Sequence, residues 1–381
     1  MDLPSQTAEE ARREEEVLTM GSTEHNQQTR NLFKMQSPAT SLRAGSPRVS
    51  LCPPWLSFVL PLLIFIVGSI ACSKGSSSAL ATNVAATNVA PEPPAAPAPT
   101  TSSSDSGPLP QIDSKRTFLY IKEIVAFGAR PIGSENHRKL ENYITTHLKG
   151  DQVEDDAFIA DTVEGKFPVR NIVAKYPGTK DGIIVIVGHY DTNYPLRNTG
   201  FVGANDGGSS TAILLEYANH LRGQKRDGYN VWLVWSDGEE AVREWSDTDS
   251  LYGTRHLAEK WEKDGTLKKI KALFVMDMIA DADLSIDRDT NSTPWLTDLV
   301  YQAAERSGVQ SHFYTMGGAV LDDHLPFVKR GVPSIDVIDL DYGYNNVFHH
   351  TPQDTLDKLS PRSLEIVGNT TLEAIRTLDR R

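Results

Sequence analysis

Carboxylate and imidazole side chains in this chain collect at the ends of apolar runs, where several of them can be aimed at one point. The run IIVIVGHYD delivers His189 and Asp191, VWLVWSDGEE delivers Asp237, Glu239 and Glu240, and LFVMDMIAD delivers Asp277. Between the first two, GANDGGSS sets Asp206 in a glycine-rich turn, and near the end NNVFHHTPQDT supplies His349 and His350. Such nitrogen and oxygen donors suit zinc, which takes three or four of them and, in catalytic sites, keeps one position open. A carboxylate on the Asp206 turn can bridge two ions about 3.5–4 Å apart, an arrangement suited to peptide hydrolysis. Adjacent Glu239 and Glu240 point different ways in loop or extended backbone, so one can hold metal while the other moves protons. Asp277 interrupts a strongly apolar strand, where a carboxylate is costly unless paired or metal-bound. Each of these residues alone is commoner as a helix cap, a turn or a solvated loop. Their joint order along one domain points to a metal-dependent enzyme.

The elements that must position these residues alternate. Strand-like runs cover Val169–Tyr176, Ile183–Val187, Val231–Trp235, Ala272–Met276 and Pro333–Ile338, and helix-like stretches cover Thr117–Phe127, Asn136–Leu148, Ser209–Leu221, Leu251–Lys263, Pro294–Ser307 and Leu356–Leu378. This alternation predicts a single α/β domain over 111–381, three layers deep, with a central mixed, mostly parallel sheet flanked by helices. In such folds the chemistry sits where strands end and loops begin. The segment GARPIGSENH, with Arg130, reads either as part of the pocket rim or as a turn between helices.

Composition narrows the function classes. The chain has 39% hydrophobic and 23% charged residues and a net charge of −12, with no sustained basic stripe, so a nucleic-acid partner is not expected. The cysteines, Cys52 and Cys72, both lie outside the chemical region, so a thiolate zinc site or a cysteine nucleophile is not expected there.

Residues 1–54 form a polar N-terminal arm; its first part fits no leader, and a start at Met35 stays open. The apolar segment within 55–72 follows Arg43 and Arg48 and ends in small residues, the layout of an export signal or a short anchor. The run GSIAC resembles a lipoprotein processing site, with Ser69 where Leu is usual and Cys72 as the residue to be lipidated. Residues 73–110, rich in Ser, Ala and Pro, read as a disordered spacer. Together these predict an exported protein, periplasmic or extracellular, with a membrane tether through residues 55–72 and a monomer as the favoured state.

The ordered set GHYD, GANDGGSS, DGEE, an Asp ending an apolar strand and HTPQD resembles the co-catalytic zinc aminopeptidases, family 28 of the metallopeptidases, over about residues 115–381. That resemblance implies a zinc-exopeptidase fold with one zinc on Asp206, Glu240 and His350, and a second on His189, Asp206 and Asp277. It gives Glu239 the role of activating water. The segments FVGANDGGSSTAILLEYANHL, DGEEAVREWSDTDSLYGTRHLAEKW and LDDHLPFVKRGVPSIDVI are more similar to the animal-type glutaminyl cyclases. In that branch a single zinc takes Asp206, Glu240 and His350, Asp277 and Asp322 form a coupled acid pair, and Trp245 walls the substrate pocket. His349 stands where cyclases usually carry Trp, and is read as substrate-binding. The expected function is cyclisation of the N-terminal glutamine of peptides to pyroglutamate with release of ammonia. The alternatives are a two-zinc aminopeptidase and an inactive zinc-binding surface module, against which the free acid Glu239 argues.

Overall fold

The computed structural model describes residues 107–381. The expected polar arm, the apolar segment with Cys72 and all but the end of the spacer lie outside the described residues. Helix α1 (Ser114–Val125) begins where the Asp113 side chain accepts from the Arg116 N–H, and α2 (Glu135–His147) where Ser134 does the same for His137. The strands β1 (Gln152–Thr162), β2 (Gly165–Tyr176) and β3 (Gly178–His189) follow. Then come α3 (Gly208–Leu221), β4 (Arg226–Ser236), α4 (Tyr252–Lys263) and β5 (Ile270–Asp277). The chain ends with β6 (Ile286–Asp289), α5 (Pro294–Arg306), β7 (Phe313–Gly318), the short α6 (Leu325–Val328), β8 (Ser334–Ile338) and α7 (Pro361–Asp379).

The main sheet runs β1-β2-β4-β3-β5-β8, and β6 pairs with β7 in a separate ribbon. β3 is parallel to β4 and β5, and β5 to β8, whereas β1–β2 and β2–β4 are antiparallel. This is the mixed sheet flanked by helices that the alternation of runs predicts. β1 was not expected: as an edge strand it is largely exposed, and the apolar part of QVEDDAFIADT is only the four residues AFIA between acids. The small β6–β7 ribbon was likewise not expected. The last helix is shorter than its apolar pattern. Leu356–Lys358 forms a separate turn and α7 starts at Pro361, because proline fits the first helical position and disfavours helix just before itself.

Both faces of the sheet are buried, which explains the unbroken apolar strands. Ile184, Ile186, Leu233, Trp235, Phe274 and Met276 face the larger core under α1, α3, α5 and α7. Val185, Val187, Val234, Leu273 and Val275 face α4 through Leu257, Ala258 and Trp261. Buried Glu216 on α3 takes both Nε and Nη2 of Arg116 at 2.7 Å and the Asp113 N–H at 2.9 Å, tying α1 to the central helix. The parallel strands β3, β4 and β5 therefore end side by side on a rigid edge.

Beside that edge, buried His137 sets Nε2 2.7 Å from Asp237 Oδ1 and Nδ1 3.2 Å from Glu141 Oε1. Burial opposes charge on this ring, but the two carboxylates raise its pKa to about 10. A histidine raised above its unfolded value of about 6.5 stabilises the fold fully below that pH and loses the contribution as pH climbs through the folded value. We expect the melting temperature to fall between pH 7 and 10, with His137→Gln flattening that dependence in calorimetric scans; an unchanged slope would exclude the ion cluster as its cause.

Candidate active site

β3 ends at His189 and β5 at Asp277, while β4 runs out at Ser236 into the loop carrying Glu239 and Glu240. The turn before α3 brings Asp206 to the same edge, and the loop before α7 brings His349 and His350. At the turn, Gly207 has φ 76°, and a Cβ there would lie 2.5 Å from the Asp191 carbonyl oxygen, so glycine is required for the approach. Met278 and His350 hold φ of 45° and 51°, left-handed values that cost non-glycine residues energy and concentrate at functional sites.

The candidate ligands converge. His350 Nε2 lies 3.2 Å from Glu240 Oε1 and 3.3 Å from Asp206 Oδ2. His189 Nε2 lies 3.2 Å from both Asp206 Oδ1 and Asp277 Oδ1. Asp206 thus shows one oxygen to each histidine, and the ligand atoms of His189, Asp206 and Asp277 lie within 4.8 Å of one another, as do those of Asp206, His349 and His350. A buried Asp206 Oδ2 and a buried His189 Nδ1 have no hydrogen-bond partner among the described residues. Buried carboxylates and imidazoles so arranged suit a shared cation, and the N/O donor set fits zinc.

Charge in the cluster is strongly redistributed. Burial opposes charge on His350, yet Glu240 and Asp206 raise it to about 11; burial works the other way at Asp206, where His189 and His350 hold the carboxyl well below its usual range. Burial, with repulsion from Asp322 and Glu240, pushes Glu239 well above the ordinary carboxylate value against the pull of His189. Burial and the charge of Asp277 push Asp322 up to about 6, and burial with neighbouring His350 lowers His349 to about 4.

A cavity of about 320 Å³ opens over this cluster, lined by Asp206, Glu239, Trp245, Asp277, Asp322, His349 and His350 together with apolar Met278, Val320, Ile338 and Leu340. Glu240 and His189 stand behind its wall. The sequence-predicted ligands and catalytic residues therefore meet in one place, whereas Asp237 pairs with His137 beside the edge. The apolar lining and Asp354 were not singled out by sequence, and Asp191 was named there only as a strand-end acid without this supporting role. Asp354 accepts from the Asn205 and Asp206 N–H groups at 2.8 and 3.2 Å and from the Tyr342 hydroxyl at 2.8 Å. Asp191 accepts from the Glu239 and Glu240 N–H groups at 3.2 and 3.3 Å, and Asn193 donates to Glu240 Oε2 at 2.8 Å. Asp354 and Asp191 stand inside the quoted HTPQD and GHYD runs; that adjacency was the available signal. Arg130 lies in the turn that joins α1 and α2, one of the two readings of the sequence, and not on the cavity rim: fully buried, it donates to the carbonyls of Val202 and Gly203 at 2.5 and 3.0 Å and so anchors the loop leading to Asp206.

The model of peptidase family M28 matches residues 171–375, which include every candidate ligand. The chain belongs to peptidase family M28. Among relatives of this M28 chain, a glutaminyl-peptide cyclotransferase of Drosophila melanogaster is 30% identical over 252 residues, covering 59% of this chain and 70% of the relative. A crystal structure of Acidobacteriales bacterium glutaminyl cyclase is 49% identical, with a TM-score of 0.71 over 73% of this chain and 99% of that one. A Porphyromonas gingivalis glutaminyl cyclase is 27% identical, with a TM-score of 0.64 over 70% and 98%.

Because Asp354 satisfies two N–H groups of the ligand turn in this M28 site, Asp354→Ala leaves both unpaired. We expect zinc affinity to fall by about 10–100-fold, read by chelator competition, while Asp354→Asn retains more; equal affinities across the three proteins would remove the supporting role.

Proposed function

We propose that this protein is a glutaminyl-peptide cyclotransferase that converts N-terminal glutamine of peptides to pyroglutamate with release of ammonia. The observation that carries the reading is the meeting of Glu239, Asp277 and Asp322 in one small cavity beside the Asp206, Glu240 and His350 donors, with Trp245 as a wall. The names of the relatives at 49% and 30% identity point the same way.

Asp206, Glu240 and His350 are the residues to hold one zinc, which when bound supplies Lewis-acid polarisation of the substrate side-chain amide. The remaining chemistry belongs to the chain. Glu239, a carboxylate raised by burial, accepts a proton from the α-amino group as its nitrogen bonds to the side-chain carbonyl carbon. The same proton passes to the departing amide nitrogen as the carbon–nitrogen bond breaks, and ammonia leaves. Asp277 and Asp322 accept hydrogen bonds from the amine and hold it facing the carbonyl. Trp245 packs on the glutamine chain, neutral His349 offers a polar contact, and Met278, Val320, Ile338 and Leu340 exclude the water that would otherwise hydrolyse the amide.

A two-zinc aminopeptidase draws on the His189, Asp206 and Asp277 group. Zinc-loaded protein given glutaminyl and leucyl reporter amides separates the readings. We expect ammonia from the glutaminyl substrate with about one zinc per chain; release of the reporter amine with about two zincs would overturn the proposal in favour of peptide hydrolysis. Glu239→Gln is expected to lower turnover by at least about 100-fold while zinc content stays the same. The reading extends to an exported monomer tethered through residues 55–72, for which fractionation of Cys72→Ala against the native chain is the check: loss of membrane association is expected if Cys72 carries the tether.

A further inference from the structure

A second cavity, of about 420 Å³, lies next to the first, and Trp245 and Leu321 line both. These two side chains form a sill: Leu321 is 52% exposed, an unusual setting for a leucine at the mouth of a site. Beyond the sill the floor is Leu251 with Leu325 and Pro326 of α6, and the wall is the α4 face that carries Arg255. A peptide whose first residue fills the inner cavity must lead its second residue outward, since consecutive residues advance about 3.3–3.6 Å in an extended chain.

The charges along this groove are unequally committed. Glu259 is paired with Lys263, and Glu262 takes the Arg330 Nε at 3.0 Å. The half-buried Arg255 guanidinium donates to the main-chain carbonyls of Leu251, Asp247 and Thr248 at 3.4, 3.2 and 3.2 Å rather than to a carboxylate side chain. Lys329 has only a loose contact of 3.9 Å with Asp247, both being exposed. On a chain of net charge −12, the outer groove therefore sets the two cations Arg255 and Lys329 against one loosely paired acid of its own lining, Asp247, and keeps a positive surplus.

Resting on the cyclisation reading, we propose that this groove is the subsite for residues two to four of the peptide substrate, with an apolar second residue on Trp245 and Leu321 and acidic side chains beyond it facing Arg255 and Lys329. The competing way out is a cavity of about 260 Å³ that shares Ala319, Val320 and Leu340 with the inner one and is lined by Asp287 and Asp341. Its charge is opposite. The two routes therefore predict opposite preferences, and the larger volume and the exposed apolar sill favour the first.

The test compares kcat/KM for glutamine amide, Gln-Leu-Glu-Glu-amide and Gln-Leu-Lys-Lys-amide with the full-length zinc-loaded protein and its Lys329→Glu and Arg255→Gln variants. The acidic peptide is expected to exceed the basic one by about tenfold at low salt, mainly through KM, with the ratio shrinking in about 0.5 M salt. Lys329→Glu should carry the ratio below one, and Arg255→Gln should lower it. Cyclisation of glutamine amide with a peptide ratio near one, or a preference for the basic peptide that Lys329→Glu leaves unmoved, would overturn the groove alone. No ammonia from any of the three substrates would overturn the cyclisation reading and this inference with it.

Discussion

Buried negative charge is the constraint around which this molecule is organised. Asp191, Asp206, Glu239, Glu240, Asp277, Asp322, Asp323 and Asp354 are all withdrawn from water at one edge of the sheet. A carboxylate in that setting is tolerated only with donors, a cation or a proton. The structure supplies each kind of compensation to a different subset. Backbone N–H groups hydrogen-bond Asp191 and Asp354; the hydroxyls of Ser236 and Thr254 bond Asp323, each at 2.5 Å. Histidines face Asp206, Glu240 and Asp277. What is left over, an acid with raised affinity for its proton at Glu239 and a convergent donor set at Asp206, is what metal-assisted proton transfer requires.

The supporting carboxylates also make the site stiff. Asp191 grips both N–H groups of the Glu239-Glu240 pair, so the candidate base and the candidate ligand are oriented by one residue. Asp354 and buried Arg130 hold the two sides of the loop that presents Asp206. This rigidity lets Met278 and His350 persist in left-handed conformations, a local cost met by packing elsewhere. A second layer lies behind Asp322. His324 sets Nε2 3.1 Å from Asp289 and Nδ1 3.8 Å from Asp336, and burial with repulsion from Asp322 and Asp277 pushes Asp336 well above the usual carboxylate range.

Hydrolysis of a peptide and cyclisation of its first residue can be built on one scaffold because they differ in which nucleophile reaches a polarised carbonyl. The M28 framework provides the strand edge and the donors. The cavity walls decide whether water or the substrate's own amine is admitted, and here those walls are Trp245 and an apolar set drawn from the end of β8 and the loops that follow β5, β7 and β8.

The amino-acid sequence by itself determined the donor types, their order and the strand–helix alternation, since apolar periodicity and strand-end acids are properties of neighbouring residues. It also identified the ligating and catalytic side chains that the cavity collects but not its apolar lining, while the exposed edge strand β1 left only a four-residue apolar trace and Pro361 began α7 later than the apolar pattern alone suggests. Only the tertiary structure decided which side chain aims where. It set His350 Nε2 between Asp206 and Glu240, left Glu240 behind the wall while Glu239 faces the cavity, and turned Arg130 inward. The Asn205–Asp354 bond spans 149 residues, and its existence depends on the packing of a loop against a helix start. Side-chain direction and long-range contact arise when separate elements meet, and no local spacing encodes them.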